Sequence, residues 1–170
     1  MDLKSFIRDV PDFPKPGVMF KDITPLLLDP GAFAYSVARL AAHYATERID
    51  LIAAAEARGF LFAAPVALEL RKGLVPLRKP GKLPYRTRSH KYDLEYGSAE
   101  LHVHEDAVPP GARVLVVDDV LATGGTMAAA CELIERAGGA VVGCAFLIEL
   151  SFLKGRSLLG GRDCFSLLTY

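Results

Sequence analysis

Cysteine is scarce in this chain of 170 residues: Cys131, Cys144 and Cys164 are the only three, odd in number and widely spaced. No pair has the short spacing of a metal knuckle, and free buried thiols in a reducing compartment are expected. Net charge is absent too, with 20 Lys and Arg against 20 Asp and Glu. That balance argues against bulk attraction to nucleic acid or to an anionic membrane. No apolar run approaches the ~18 residues a membrane span needs, and Met1 to Phe6 lacks the charged-then-apolar pattern of a secretory leader. A cytoplasmic protein without a nucleic-acid or membrane partner is expected. No internal repeat, low-complexity tract or linker divides the chain, so residues 1–170 are read as one domain. A domain of this length buries roughly 70% of its unfolded surface, and a hydrophobic content of 51% supplies the core.

What is present is an alternation of two periods. Leu3, Phe6, Ile7 and Val10 recur at helical spacing, which predicts an opening amphipathic helix. Pro11, Pro14 and Pro16 then impose a rigid irregular segment that reaches Asp22. Phe33, Val37, Leu40 and Tyr44 mark a helix after Asp29-Pro30-Gly31. Short apolar runs at 51–55 and 74–77 flank a helical stretch from Phe60 to Arg71. Val114 to Val117 is continuous and mostly β-branched, as a strand covered on both faces requires. A helix over 126–137, ended by Gly138-Gly139, leads to a strand over 140–148. Strands alternating with helices predict an α/β fold with a parallel sheet.

One stretch departs from this pattern. Arg78, Lys79, Lys82, Arg86, Arg88 and Lys91 are six cations in a run without an acid, and residues 94–104 then alternate apolar and polar with a phase shift at Gly97-Ser98. The pattern predicts a two-stranded extension carrying a basic loop. It is too long for an ordinary βα connection, and long loops in compact domains usually carry function.

The chemistry concentrates in Val117-Asp118-Asp119-Val120-Leu121-Ala122-Thr123-Gly124-Gly125-Thr126. A buried strand runs into two acids, then into small and hydroxyl residues, then into a helix. In an open α/β sheet, ligands bind beyond the carboxyl ends of the strands. Backbone N–H groups of such a loop can cradle a phosphate at the positive end of the helix, with Thr123 and Thr126 adding hydroxyl donors. Paired carboxylates beside an anion site fit sugar hydroxyls or a metal-bound water, because carboxylates only accept. The loop is not a Walker A loop, since no Gly-Lys-Ser/Thr is in register, and it is not Gly-x-Gly-x-x-Gly.

Asp118 to Thr126 resembles the phosphoribosyl pyrophosphate motif of the type I phosphoribosyltransferases. Phe13-Pro14-x-Pro16-Gly17-Val18-x-Phe20-x-Asp22, Glu56-Ala57-Arg58-Gly59-Phe60, Gly81-Lys82-Leu83-Pro84, Leu94-Glu95-Tyr96-Gly97 and Leu153-Lys154-Gly155-Arg156 resemble the adenine-specific branch of that family, in order along nearly the whole chain. The resemblance implies a mainly parallel central sheet flanked by helices, an N-terminal hood over about 11–28 and a flexible two-stranded closing loop over about 78–100. It implies transfer of a 5-phosphoribosyl group from phosphoribosyl pyrophosphate to N9 of adenine, giving AMP and pyrophosphate, with Mg²⁺ held through the pyrophosphate and waters rather than by a protein cage. Ala122, Thr123, Gly124, Gly125 and Thr126 would hold the 5′-phosphate, with Asp118 and Asp119 on the ribose hydroxyls. The loop Glu56, Ala57, Arg58 and Gly59, which contains a non-proline cis peptide in the family, would meet the pyrophosphate together with Arg78, Lys79 and Lys82. Family members often have Asp-Ser where this chain has Glu56-Ala57, which removes a hydroxyl contact but no backbone contact.

Catalysis is assigned by the same resemblance to Glu95, Arg58, Asp118 and Asp119, with Glu95 moving a proton near N7 of the purine and Tyr96 packing over the site. The hood residues Val18, Met19, Phe20 and Lys21 would pair with the purine edge through backbone groups. Relatives specific for oxopurines usually carry a lysine in the strand after the phosphate loop. Here no lysine lies between Arg136 and Lys154, which favours a 6-amino purine. The family implies a homodimer, with apolar segments near the N-terminal helix and the pyrophosphate loop at or near the interface. His102 and His104 share one strand face, where solvation is favoured over metal ligation because no third ligand is suggested. Two other functions remain open: a phosphoribosyltransferase for another purine base, and a non-catalytic regulator that senses phosphoribosyl pyrophosphate. The second would need a DNA-binding domain and a basic surface, for which the chain has neither spare length nor net charge.

Overall fold

The computed structural model describes residues 1–93 and 97–170. A short 3₁₀ turn, Leu3–Phe6, opens the chain, followed by β1 (Arg8–Val10) and β2 (Phe20–Asp22). Two helices follow, α1 (Thr24–Leu28) and α2 (Pro30–His43), then β3 (Leu51–Ala55), α3 (Gly59–Glu69) and β4 (Gly73–Leu77). Strands β5 (Thr87–Asp93) and β6 (Ser98–His104) precede β7 (Arg113–Leu121), α4 (Gly125–Arg136), β8 (Ala140–Glu149) and β9 (Cys164–Thr169). Two 3₁₀ turns, Ser151–Leu153 and Gly155–Leu159, join the last two strands.

The five-stranded sheet has the order β4-β3-β7-β8-β9, and every pairing in it is parallel. Its central strand is apolar on both faces for a visible reason. Leu115 and Val117 enter one core with Leu40, Phe62 and Leu147, while Val114 and Val116 enter a second with Ile134, Cys144 and Phe146. Helices α2 and α3 cover the first face, and α4 covers the second. The second core also gathers the thiols: Cys131 Sγ on α4 lies 3.6 Å from Cys144 Sγ on β8, and Cys144 is opposite Cys164 on β9. All three are free.

The opening differs from the sequence expectation. The spacing of Leu3, Phe6, Ile7 and Val10 is satisfied by a 3₁₀ turn followed by a strand, because Arg8–Val10 pairs antiparallel with Phe20–Asp22. That pairing is non-local, and helical spacing over so few residues does not oppose it. The run of prolines becomes the connection of this two-stranded hood, and α1 starts with Pro25 in its first turn, where proline is tolerated. The two-stranded extension forms as expected, with seven paired positions from Thr87↔His104 to Asp93↔Ser98. Its base is tied to the chain by reciprocal backbone hydrogen bonds between Arg78 and His102.

Candidate active site

Strand order dictates where a ligand can enter. From β3 the chain moves outward to β4 on one side, and from β7 it moves outward to β8 and β9 on the other. The crevice between the carboxyl ends of β3 and β7 is therefore the switch point at which open parallel sheets bind ligands. A cleft of about 400 Å³ opens there, lined by Glu56, Ala57 and Arg58 after β3 and by Asp118 to Met127 after and along β7. Two loops distant in sequence meet in it, as the motif reading expects. The two acids, however, sit inside β7 rather than beyond it, since the strand continues to Leu121.

That placement buries them. Asp119 is 4% exposed, and the Arg58 Nε lies 2.7 Å from its Oδ2. The angle of this ion pair leaves Asp119 Oδ2 with no aligned hydrogen-bond partner among the described residues, and the atom is shut away from solvent. Asp118 Oδ1 accepts from the Asp119 N–H at 2.8 Å. Burial, and then the Asp119 charge beside it, pushes the Asp118 carboxyl well above the usual carboxylate range. Gly59 must be glycine here: a Cβ would come within 2.9 Å of Asp118 Oδ1 and 3.2 Å of the Val117 carbonyl oxygen. The first turn of α3 thus packs directly on the carboxylates.

The loop over 122–126 turns on Gly124, whose φ of +88° lies in the left-handed region. Helix α4 begins at the next residue and leaves its first N–H groups without intrahelical partners at the floor of the cleft. Of the two threonines, Thr123 is exposed, and the Thr126 Oγ1 lies 3.4 Å from the Tyr92 hydroxyl.

Across the cleft, the Glu56–Ala57 peptide is cis. The Glu56 side chain turns away from any anion: its Oε1 accepts from the Lys79 N–H at 2.6 Å and faces the Arg78 Nε at 3.4 Å. The Lys79 N–H hydrogen bond chiefly, with Arg78 assisting against burial, holds the Glu56 carboxyl below its ordinary range. Glu56 therefore positions the cationic segment. Arg78 Nη1 also reaches the Lys82 carbonyl at 3.5 Å, while the Lys79 and Lys82 side chains are exposed. A second cavity of about 680 Å³, lined by Lys79, Lys91, Tyr92 and Glu100 among others, adjoins the first through Glu56 and Thr126.

The hood approaches the cleft through Arg58 and does not line it. The Arg58 guanidinium lies 5.4 Å from the Phe20 ring, which packs edge-on against Phe13 at 5.1 Å. Strand alternation puts Lys21 on the opposite face, with Nζ 2.6 Å from Asp9 Oδ1 and 4.1 Å from the Tyr170 ring. Met19 is half exposed, and Val18 donates to the Lys15 carbonyl. Arg58, assigned from sequence to the pyrophosphate, thus spans from the carboxylate pair to the hood. Leu94, Glu95 and Tyr96 lie outside the described residues.

Tyr92 and His90 are contacts the sequence did not assign. His90 Nε2 meets Glu132 Oε2 of α4 at 3.1 Å, so the hairpin rests on the helix that starts at the phosphate loop. His102 Nδ1 meets Thr87 Oγ1 at 2.9 Å, and His104 Nε2 accepts from the Tyr85 N–H at 3.3 Å. No group of three or more His, Cys, Asp or Glu among the described residues could hold a metal ion.

A family model described as the phosphoribosyl transferase domain matches residues 27–158. The chain belongs to that family. Its most similar relatives include an adenine phosphoribosyltransferase of Kosmotoga olearia, 58% identical over 170 residues and covering all of both chains. The crystal structure of adenine phosphoribosyltransferase from Thermoanaerobacter pseudethanolicus superposes with a TM-score of 0.97 at 54% identity, covering 99% of this chain and 98% of that one. The Saccharomyces cerevisiae adenine phosphoribosyltransferase, complexed with D-2,5-dideoxy-2,5-imino-altritol 1,6-bisphosphate and adenine, superposes at 0.91 with 40% identity, covering 98% and 96%. Within the family frame, the 122–126 loop, the carboxylate pair and the cis-peptide loop of this chain occupy one cleft at the sheet's switch point.

Proposed function

We propose that this chain is an adenine phosphoribosyltransferase that joins N9 of adenine to C1 of the ribose of phosphoribosyl pyrophosphate, breaks the C1–oxygen bond and releases AMP and pyrophosphate. The observation that carries the reading is the meeting of the Asp118–Asp119 pair, the 122–126 loop and the 56–59 loop in one cleft. The 5′-phosphate is taken by the Ala122–Thr126 N–H groups at the head of α4. Positive charge that develops on the sugar as the C1–oxygen bond breaks faces the carboxylates, and negative charge on the departing pyrophosphate faces Lys82 together with Arg78 and Lys79, whose segment Glu56 anchors.

The donor set fits magnesium arriving on the donor: the Asp118 and Asp119 carboxylates line the cleft, and Asp119 Oδ2 has no aligned donor among the described residues, which suits a water carried by that ion. When bound, Mg²⁺ would neutralise charge on the leaving group. Adenine would lie between the hood backbone at 18–21 and the Arg58–Phe20 contact. Strand β8, Ala140–Glu149, presents no lysine to a 6-oxo group. The hairpin would close over the donor and exclude water that would hydrolyse it. Glu95 is assigned to proton movement at N7. Replacing it, Glu95→Gln, is expected to lower kcat within the ~10²–10⁴-fold range of a general acid–base group with little change in KM; near-normal turnover would remove the assignment.

We further propose a cytoplasmic homodimer. Helix α3 is apolar on every side, and Leu61 and Leu68 remain exposed at 43% and 80%, with Leu28 of α1 at 76%. No helix among the described residues is long and apolar enough to cross a membrane.

The test is AMP formation from adenine, phosphoribosyl pyrophosphate and Mg²⁺, with hypoxanthine, guanine and xanthine in parallel. Turnover with adenine alone is expected. Turnover with another base would keep the chemistry and overturn the base assignment. Tight donor binding without turnover would favour a sensor of the donor.

A further inference from the structure

Gly155 does not line the cleft, yet it touches the phosphate loop more closely than any side chain could. It is buried, and a Cβ placed on it would fall on the Ala122 carbonyl oxygen while coming within 3.0 Å of Leu121 Cδ1 and 3.1 Å of the Gly124 nitrogen. A Cβ placed on Gly124 would in turn fall on the Gly155 carbonyl oxygen. Two backbones therefore lie directly against each other, which only a pair of glycines allows.

Such a contact transmits position only if Gly155 is itself held, and the next residue holds it. Arg156 forks onto Glu149 at the end of β8, with Nε 2.6 Å from Oε1 and Nη2 2.7 Å from Oε2. Its Nη1 donates to the Cys164 carbonyl of β9 at 2.8 Å. Glu149 is 7% exposed and also accepts from Ser166 Oγ at 2.9 Å. A planar bidentate fork of this kind fixes orientation as well as distance. One residue beyond Glu149, the Leu150 N–H donates to the Leu121 carbonyl at 2.9 Å, immediately before the loop. The loop is thus braced against two strands of the sheet.

We propose that Gly155 and the Glu149–Arg156 pair are positioning residues of the phosphate loop, setting the presentation of its N–H groups to a 5′-phosphate that none of the three touches. The proposal rests on the reading of the cleft as a phosphoribosyl site and adds residues to it.

Gly155→Ala and Arg156→Lys test it in the full chain, after the wild type has been shown to form AMP. Gly155→Ala displaces the loop directly and is expected to lower kcat/KM for phosphoribosyl pyrophosphate about 100-fold. Arg156→Lys keeps the charge and loses the fork, and about a tenfold rise is expected in the Kd for ribose 5-phosphate. Magnesium pyrophosphate, read by the 56–59 loop, should bind both variants within about twofold of wild type, in the absence of any general loss of fold. If Gly155→Ala does not fold, Arg156→Lys decides. Equal weakening of both ligands, or weakening of neither, would overturn the proposal and leave a purely structural brace. A wild type that forms no AMP would instead overturn the functional reading beneath it.

Discussion

Asp119 is held almost out of water with a guanidinium 2.7 Å from an oxygen that no aligned donor among the described residues satisfies. Replacing it by Asn removes the negative charge and exchanges one acceptor oxygen for a donor, leaves Arg58 without its ion pair and relieves the like charge that helps raise Asp118. Steady-state kinetics should show kcat/KM falling about 100-fold for Asp119→Asn; a change under about threefold contradicts its role. Glu149 makes an opposite prediction about pH. The Arg156 hydrogen bonds chiefly, with Ser166 assisting against burial, lower its folded pKa below the ordinary glutamate value of about 4.3. Its contribution to stability is therefore present above that value and lost as pH falls through the lowered one. Denaturant unfolding at pH 5 and pH 3 should show a larger loss for the wild type than for Glu149→Gln, and equal losses would contradict the linkage. At this scale Asp118, Asp119 and Thr126 were legible, because a strand running into acids, glycines and a helix states its own chemistry. Gly155 was visible only as part of a motif without a role. Its effect is a backbone approach to residues some thirty positions away, which no local pattern encodes.

Among the elements, the β5–β6 hairpin rests on α4 through His90–Glu132 and Tyr92–Thr126. These polar contacts flank an apolar seat, since Leu101 and Val103 of β6 are buried with Met127 and Ala130 of α4 in the second core. Replacing Glu132 by Gln removes the charged partner of His90, and amide exchange over residues 87–92 should accelerate by at least a few-fold while exchange in β7 stays unchanged. Unchanged exchange in the hairpin would show that the latch is elsewhere. The hairpin itself could be read from alternation and from the acid-free run of cations. The hood could not be read as strands, because β1 and β2 are three residues each and exist through pairing with each other across the prolines. The extension of β7 through Asp118 and Asp119 also escaped the pattern: two acids look like a strand's end, and only partners on β8 show otherwise.

Taken as a whole molecule, the chain has a sheet whose class followed from its alternating periods and whose order had to be observed. Alternation requires crossovers, but nothing local tells β7 to pair with β3 rather than β4. The assembly prediction also belongs here. Leu68→Glu places a charge on the most exposed leucine of α3, and light scattering should report the monomer mass for the variant and twice that mass for the wild type. A wild-type monomer at micromolar concentration would refute the dimer. Finally, the paired strands Thr87–Asp93 and Ser98–His104 form a lever. The Arg78–His102 bridge is its fulcrum, opposite Ser89, and the four residue steps from there to Asp93 reach ~14 Å at about 3.4 Å per residue. A swing of ~20° there would carry Asp93 roughly 5 Å by that arm length, so a small rotation at the bridge is multiplied into a large displacement at the hairpin's far end.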